Sequence, residues 1–140
     1  MSEILKFHFD VDGKDFSSAG EASVSVKKKL RQLAYPPEII RKVSIAMYEG
    51  EINMVIHAGG GTADVEVSDE EIKIILSDKG PGIPDVELAM KAGYSTARDN
   101  IRNLGFGAGM GFPNMKKYTD SMQIDTVVGE GTVVTMTVKL

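Results

Sequence analysis

The chain has no cysteine among its 140 residues, which excludes disulfide bonds, thiolate zinc sites and cysteine nucleophiles. With no disulfides to maintain, a reducing compartment is the simpler expectation, and we predict a cytoplasmic protein. From Ile4 the first residues alternate between apolar and polar and soon become charged, which is a strand pattern rather than a secretion signal. No apolar run approaches the roughly 20 residues that cross a bilayer, so we predict no membrane contact.

The chain also lacks a large excess of charge of either sign. The net charge is −4, which argues against non-specific binding to nucleic acid, because such binding needs clustered cations that face phosphates. Apolar residues make up 42% of the chain and charged residues 26%, as in an ordinary folded protein. A chain of this length builds one core, so we predict a single domain over residues 1–140.

The apolar periodicity predicts alternating strands and helices. Predicted strands cover Ile4–Val11, Thr62–Val67, Glu71–Ser77, Gln123–Val127 and Thr132–Val138. Predicted long helices run from a cap at Ser17 or Ser18 to Leu33, from Pro37 to His57, and from Met110 to Asp120, with a short helix near Val86–Lys91. This order predicts an α+β fold, a two-layer α/β sandwich in which a mixed, mostly antiparallel sheet is covered on one face by three helices.

The second long helix carries Glu49, Asn53 and His57 at intervals of four, which places them on one helix face. An Asn amide oxygen suits a hard cation such as Mg²⁺, and a Glu one turn earlier suits a general base. A polar stripe on a solvated helix remains the alternative. Gly50 costs roughly 1 kcal/mol relative to Ala inside a helix, so close packing or a ligand must require it.

Asp78 follows an apolar strand and opens the sequence Asp78-Lys79-Gly80-Pro81-Gly82-Ile83. An Asp fixed at a strand end accepts a hydrogen bond from an exocyclic amine such as that of adenine, and the adjacent glycines let a flat ring approach the backbone. A tight turn with an Asp cap is the alternative.

Glycines recur at Gly105, Gly107, Gly109 and Gly111, with Met110 between the last two, where the third long helix is predicted to begin. Glycines at alternate positions add backbone entropy that folding must overcome, whereas exposed N–H groups before a helix bind anions. We therefore favour a phosphate cradle over a flexible loop. No Gly-Lys-Ser/Thr follows, so this is not a P-loop, and the strand that precedes a Rossmann fingerprint is missing.

Together, these three clusters look like the N box, the D-x-G-x-G box and the Gly-rich lid of the GHKL fold of gyrase B-type ATPases and histidine kinases. Gly129-Glu130-Gly131-Thr132 resembles the last Gly-x-Gly-Thr box of that fold. The four boxes occur in family order over nearly the whole chain. Within the superfamily, Gly93-Tyr94-Ser95-Thr96 and the lid are most similar to the anti-sigma-factor and switch serine/threonine kinases of bacteria.

The resemblance implies ATP and Mg²⁺ as cofactors and assigns a role to each matching residue. Glu49 would be the catalytic base, and Asn53 would ligate Mg²⁺. Asp78 would hold the adenine amino group, and Thr132 would complete adenine recognition through a water molecule. The base pocket would be lined by Gly80, Gly82 and Ile83, and the phosphates would be wrapped by Gly105, Gly107, Gly109, Met110 and Gly111.

The resemblance further implies a kinase that moves the γ-phosphate of ATP to Ser or Thr of a small antagonist protein, with a sigma factor as a second partner. It implies no direct contact with nucleic acid and leaves a homodimer open. A nucleotide-dependent binding module without significant catalysis and an ATPase subunit of a metabolic complex are the alternatives. Glu51 lies close to Glu49 in the sequence, so the freedom of Glu49 to act as a base is a question for the structure.

Overall fold

A computed structural model describes residues 4–13, 19–83, 86, 90 and 111–140. The described elements are β1 (Leu5–Asp12), α1 (Glu21–Gln32), α2 (Pro37–Ala58), β2 (Gly60–Val67), β3 (Glu71–Asp78), α3 (Gly111–Lys117), β4 (Ser121–Val127) and β5 (Gly131–Lys139). These match the predicted strands and long helices, with small shifts at their ends.

Two predictions fall largely on residues outside the described ranges. The predicted cap residues of α1, Ser17 and Ser18, are among them. Of the short helix predicted near residues 86–91, the structure describes Val86 and Met90, which are joined by a backbone hydrogen bond of 3.0 Å from the Met90 N–H to the Val86 carbonyl.

The five described strands form one sheet in the order β1-β2-β3-β5-β4. Each neighbouring pair is antiparallel, so the described sheet contains no parallel pairing. The α+β fold class is confirmed, and the sheet is antiparallel throughout its described strands rather than mixed.

One face of the sheet is apolar and the other is polar, because side chains alternate along each strand. Val65, Ile74 and Met136 lie side by side in neighbouring strands and are fully buried. They join Val26 of α1, Val43 of α2 and further helical residues in one core cluster. All three described helices therefore lie against this face. Within the described ranges, no helix is long and apolar enough to span a bilayer.

The start of α1 is held by an acid of α2. Gly20, the residue before α1, has no capping side chain of its own and adopts a left-handed φ of 98°. The buried Glu51 carboxylate accepts hydrogen bonds from the N–H groups of Gly20, Ala22 and Ser23, at 2.8, 3.2 and 3.0 Å. The Ser23 hydroxyl also donates to Glu51, at 2.8 Å. Glu51 thus caps a helix other than its own and fixes α1 against α2.

Candidate functional site

The first part of the candidate site lies on α2, where Glu49 and Asn53 are half-buried side chains one turn apart. The first residue of α3 lies next to both. A Cβ added to Gly111 would be 3.9 Å from Asn53 Oδ1 and 3.9 Å from Glu49 Oε2. The Asn114 side-chain amide also donates to Glu49 Oε1 at 3.4 Å. The start of α3 is therefore in contact distance of this polar face of α2.

The Asn53 side chain makes no hydrogen bond with the residues that the structure describes, so its amide oxygen can accept from or coordinate a ligand. The described residues contain no group of three or more His, Asp or Glu side chains that could hold a metal ion. If the described residues alone supply the protein ligands, a cation at Asn53 would take phosphate oxygens and water as its other ligands, which is a common arrangement for Mg²⁺. Within the part of the chain that the structure describes, the donor set fits a Mg²⁺ shared with a ligand and does not form a metal site from protein groups alone.

Asp78 ends β3, and its two carboxylate oxygens differ. Oδ1 accepts a hydrogen bond from the Gly80 N–H at 2.9 Å and from the Thr132 N–H at 3.2 Å. Oδ2 has no hydrogen-bond partner among the described residues, and the side chain is half-buried. One oxygen thus orients the carboxylate between the loop and β5, while the other can accept a hydrogen bond from a ligand.

Gly80 and Gly82 are both required by the way this loop packs. A Cβ on Gly80 would lie 2.5 Å from the Cβ of Ala58, in the last turn of α2. Gly82 has a φ of 79°, and a Cβ there would lie 2.6 Å from the Val127 carbonyl oxygen. A side chain at either position would push the loop away from α2 or from the β4–β5 hairpin.

Thr132 and Thr126 extend the polar site across the sheet. In the strand register, Asp78 pairs with Thr132 and Thr132 pairs with Thr126, so the three residues form one row on the helix side of the sheet. The two hydroxyl oxygens are 2.9 Å apart. The Thr126 hydroxyl also accepts a hydrogen bond from the N–H of Ile83 at 2.9 Å. Sequence reasoning missed Thr126, and its only signal was its place opposite Thr132 in the predicted hairpin.

The two parts of the site lie along the same half of α2. Glu49 and Ala58 are nine positions apart along α2, a distance of roughly 13 Å at about 1.5 Å of helix rise per residue. Glu49, Asn53 and Gly111 lie together at one end of this span, and the Asp78 loop contacts the other end at Ala58. The remaining predicted residues, Gly105, Gly107, Gly109 and Met110, lie outside the described residues and stay predictions.

His57 occupies the last turn of α2, as predicted. Burial lowers its pKa, because removing the imidazole from water disfavours the charged form. The helix ends one residue later, and Gly59 adopts the left-handed conformation with a φ of 71°.

A surface depression of about 410 Å³ lies elsewhere, between the start of α1 and the Tyr48 side chain. Its lining is Ala19, Gly20, Glu21, Val24, Ser25, Lys28 and Tyr48. None of the predicted site residues lines it. It is therefore a separate surface feature, and the candidate site is defined by the polar groups around α2 and the ends of β3 and β5.

Comparison with known proteins identifies a family and several relatives. The family model described as "Histidine kinase-, DNA gyrase B-, and HSP90-like ATPase" matches residues 41–140, which include every predicted site residue. The chain is 36% identical to the serine/threonine-protein kinase RsbT of Bacillus subtilis over 65% of this chain and 65% of that protein. It is 32% identical to the anti-sigma F factor of Pasteuria penetrans over 90% of this chain and 88% of the relative. An anti-sigma F factor of Clostridium novyi is 33% identical over 85% of this chain and 84% of its own.

Proposed function

The chain belongs to the family of histidine kinase-, DNA gyrase B- and HSP90-like ATPases, and we propose that it is an ATP-dependent serine/threonine kinase of the anti-sigma type. Its substrate would be a Ser or Thr of a small antagonist protein, and the transfer would control binding of a further partner such as a sigma factor. The names of the relatives, a serine/threonine-protein kinase and an anti-sigma F factor, support this role. Dependence on Mg²⁺ and a cytoplasmic location belong to the same proposal.

The observation that carries it is the arrangement of Asp78. One oxygen of the carboxylate accepts from the Gly80 and Thr132 N–H groups, and the other has no partner among the described residues. The carboxylate is therefore a hydrogen-bond acceptor that is held in a fixed orientation. Such an acceptor fits the exocyclic amine of adenine. Desolvation strengthens a charge-assisted hydrogen bond of this kind, so Asp78 would contribute both affinity and base specificity.

The phosphates would extend from Asp78 along α2 toward Asn53. The span between Ala58 and Glu49 suits an extended nucleoside triphosphate, and Asn53 would supply one oxygen ligand to Mg²⁺. Bound ATP with Mg²⁺ supplies the activated phosphoryl group and the charge neutralisation that its transfer requires. Gly111, which is next to Asn53, and the glycines before it would provide N–H groups to the phosphates.

Glu49 would act as the base. During transfer, the substrate hydroxyl oxygen bonds to the γ-phosphorus, the bond from that phosphorus to the bridging oxygen breaks, and ADP leaves with the bonding electrons. The hydroxyl proton passes to the Glu49 carboxylate. The Asn114 amide orients this carboxylate through Oε1. Glu51 has a different role, because its carboxylate is bonded to the start of α1.

Isothermal titration with ATP in the presence of Mg²⁺ tests nucleotide binding. We expect binding by the unchanged protein and a large loss in Asp78→Asn, since an amide is a weaker acceptor and carries no charge. Asp125→Asn is the matched control, because Asp125 is an exposed acid on β4 that bonds the Gln123 side chain. No heat with the unchanged protein would rule out an ATP site. Equal heats of binding in Asp78→Asn and Asp125→Asn would show that Asp78 is not part of the ATP site.

A nucleotide-dependent binding module is the second candidate, favoured by the relatives named anti-sigma F factor, because that name gives no catalytic activity. Incubation with radiolabelled ATP and the proteins encoded next to this chain separates the two functions. Labelled Ser or Thr in one of those proteins supports the kinase. Binding of a neighbour protein that depends on ATP, with no label transferred, supports the module.

A further inference from the structure

We propose, on the premise of the nucleotide site above, that Thr126 is a positioning residue that directs the hydroxyl of Thr132 and so contributes to selectivity for adenine. The Thr126 hydroxyl lies where three backbone segments meet: the loop after β3, the end of β4 and the start of β5. It bonds the Ile83 N–H at 2.9 Å and lies 2.9 Å from Thr132 Oγ1. Its third neighbour is the Gly131 carbonyl oxygen, at 3.3 Å.

Counting the protons of this cluster limits what each hydroxyl can do. The Thr126 oxygen accepts from Ile83 and has one proton to donate. Two acceptors of the described residues lie within reach, and Thr132 Oγ1 at 2.9 Å is closer than the Gly131 carbonyl at 3.3 Å. When Thr126 donates to Thr132, the Thr126 proton lies between the two hydroxyl oxygens and the Thr132 oxygen is the acceptor. The Thr132 proton is then directed away from Thr126.

The direction of the Thr132 O–H bond matters for ligand binding because Thr132 lies beside Asp78. Asp78 and Thr132 are cross-strand partners, and the Thr132 N–H donates to Asp78 Oδ1. The row therefore presents an acceptor, the Asp78 oxygen that has no partner among the described residues, next to a donor, the Thr132 hydroxyl. The edge of adenine is complementary, because its exocyclic amine donates and the adjacent N1 accepts. Hypoxanthine has the opposite pattern, with a carbonyl oxygen followed by N1–H.

Affinities for ATP and for inosine triphosphate, measured by titration, test this role of Thr126. Valine has nearly the shape of threonine but no hydroxyl, so Thr126→Val removes the donor to Thr132 and the acceptor for Ile83. The Thr132 hydroxyl is then free to turn and accept from the N1–H of the inosine nucleotide. We expect the dissociation constant for inosine triphosphate, divided by that for ATP, to fall about five- to tenfold in Thr126→Val, which is the effect of one hydrogen bond.

Two variants serve as controls. Thr126→Ser keeps the hydroxyl and should retain the selectivity ratio of the unchanged protein. Thr137→Val removes a hydroxyl from the same sheet, where it bonds Ser121, and it should leave the ratio unchanged because Thr137 is five residues beyond Thr132. Thermal unfolding shows whether Thr126→Val folds. If it does not, Thr126→Ala replaces it in the same measurement.

The outcomes separate the selectivity role of Thr126 from ATP binding itself. A Thr126→Val protein that binds both nucleotides more weakly by the same factor would show that Thr126 only supports the loop, and this would overturn the selectivity role. An unchanged ratio at unchanged affinity would overturn it as well, with ATP binding intact. Failure of the unchanged protein to bind ATP would overturn the nucleotide site and the Thr126 role together.

Discussion

Gly50 of α2 lies so close to Leu76 of β3 that a Cβ added to Gly50 would be 2.1 Å from the Leu76 Cδ1 atom. The same Cβ would be 3.1 Å from Met115 Cε of α3. Helix, sheet and second helix therefore meet at a position where a side chain would fit only if the Leu76 side chain moved. This close packing accounts for a glycine inside a helix, and no ligand is needed to explain it.

Gly50→Ala should destabilise the protein despite the better helix propensity of alanine. The propensity gain is about 1 kcal/mol, whereas overpacking a core costs about 1–3 kcal/mol. We expect a net loss of up to about 2 kcal/mol in the free energy of unfolding, measured with urea. In a Leu76→Ala background, which opens space, the substitution should cost less or become stabilising. The same cost in both backgrounds would show that Leu76 is not the obstacle.

Glu51→Gln should weaken the junction between α1 and α2. The amide has one acceptor oxygen in place of two, so part of the contact with the Gly20, Ala22 and Ser23 N–H groups is lost. Hydrogen bonds to a charged group contribute about 1.5–3 kcal/mol each, and we expect a loss of about 2–4 kcal/mol in urea unfolding. Glu21→Gln replaces an exposed acid in the first turn of α1 and should cost under about 1 kcal/mol. Similar costs would contradict the capping role of Glu51.

The two histidines should titrate on opposite sides of the ordinary value near 6.5. The hydrogen bond of His8 to Asp64 raises its pKa, with a smaller contribution from Asp10, whereas burial lowers the pKa of His57. NMR titration of the two imidazole Cε1 protons measures both values. Asp64→Asn should bring the His8 midpoint down while His57 stays constant. A His8 midpoint unmoved by Asp64→Asn would refute this pairing.

These shifts have opposite effects on stability. Since folding raises the His8 pKa, its contribution is fully present below the unfolded pKa and is lost as the pH rises through the folded pKa. Since folding lowers the His57 pKa, the folded state is penalised as the pH falls below the unfolded value, and the penalty is complete below the folded pKa. Replacing His57 with Gln should therefore reduce the loss of stability in mild acid, as followed by thermal unfolding.

Glu49→Gln should separate phosphotransfer from ATP binding. The amide cannot take up the proton of the attacking hydroxyl, and removal of a general base typically lowers a rate by about 10²–10⁴-fold. The dissociation constant for ATP should change little, because the carboxylate is assigned to the acceptor hydroxyl and not to the nucleotide. Glu130→Gln, in the exposed β4–β5 turn, is the control. Full transfer by the Glu49 variant would assign the base elsewhere.

Local patterns in the sequence were sufficient for the elements and for several site positions. Apolar alternation identified the strands, and Asp78 ends β3 as the change from apolar to Gly-Pro residues indicated. The four-residue interval placed Glu49 and Asn53 on one face of α2, since helix geometry alone determines that relation. The sheet was expected to be mixed and mostly antiparallel, and the described strands are all antiparallel. Strand pairing joins distant segments, and periodicity carries no information on strand direction.

Other features depend on side chains that meet from distant parts of the chain, and only the tertiary structure could reveal them. In the sequence, Glu51 appeared to crowd Glu49, yet in the fold it points to α1, because residues two apart on a helix face different directions. Thr126 became a candidate only through its row with Thr132 and Asp78. The sequence by itself determined periodicity and local turns, whose causes lie within a few residues. The tertiary structure decided which polar side chains hydrogen-bond to each other or to distant backbone N–H groups, because those contacts need atoms within about 3 Å of each other.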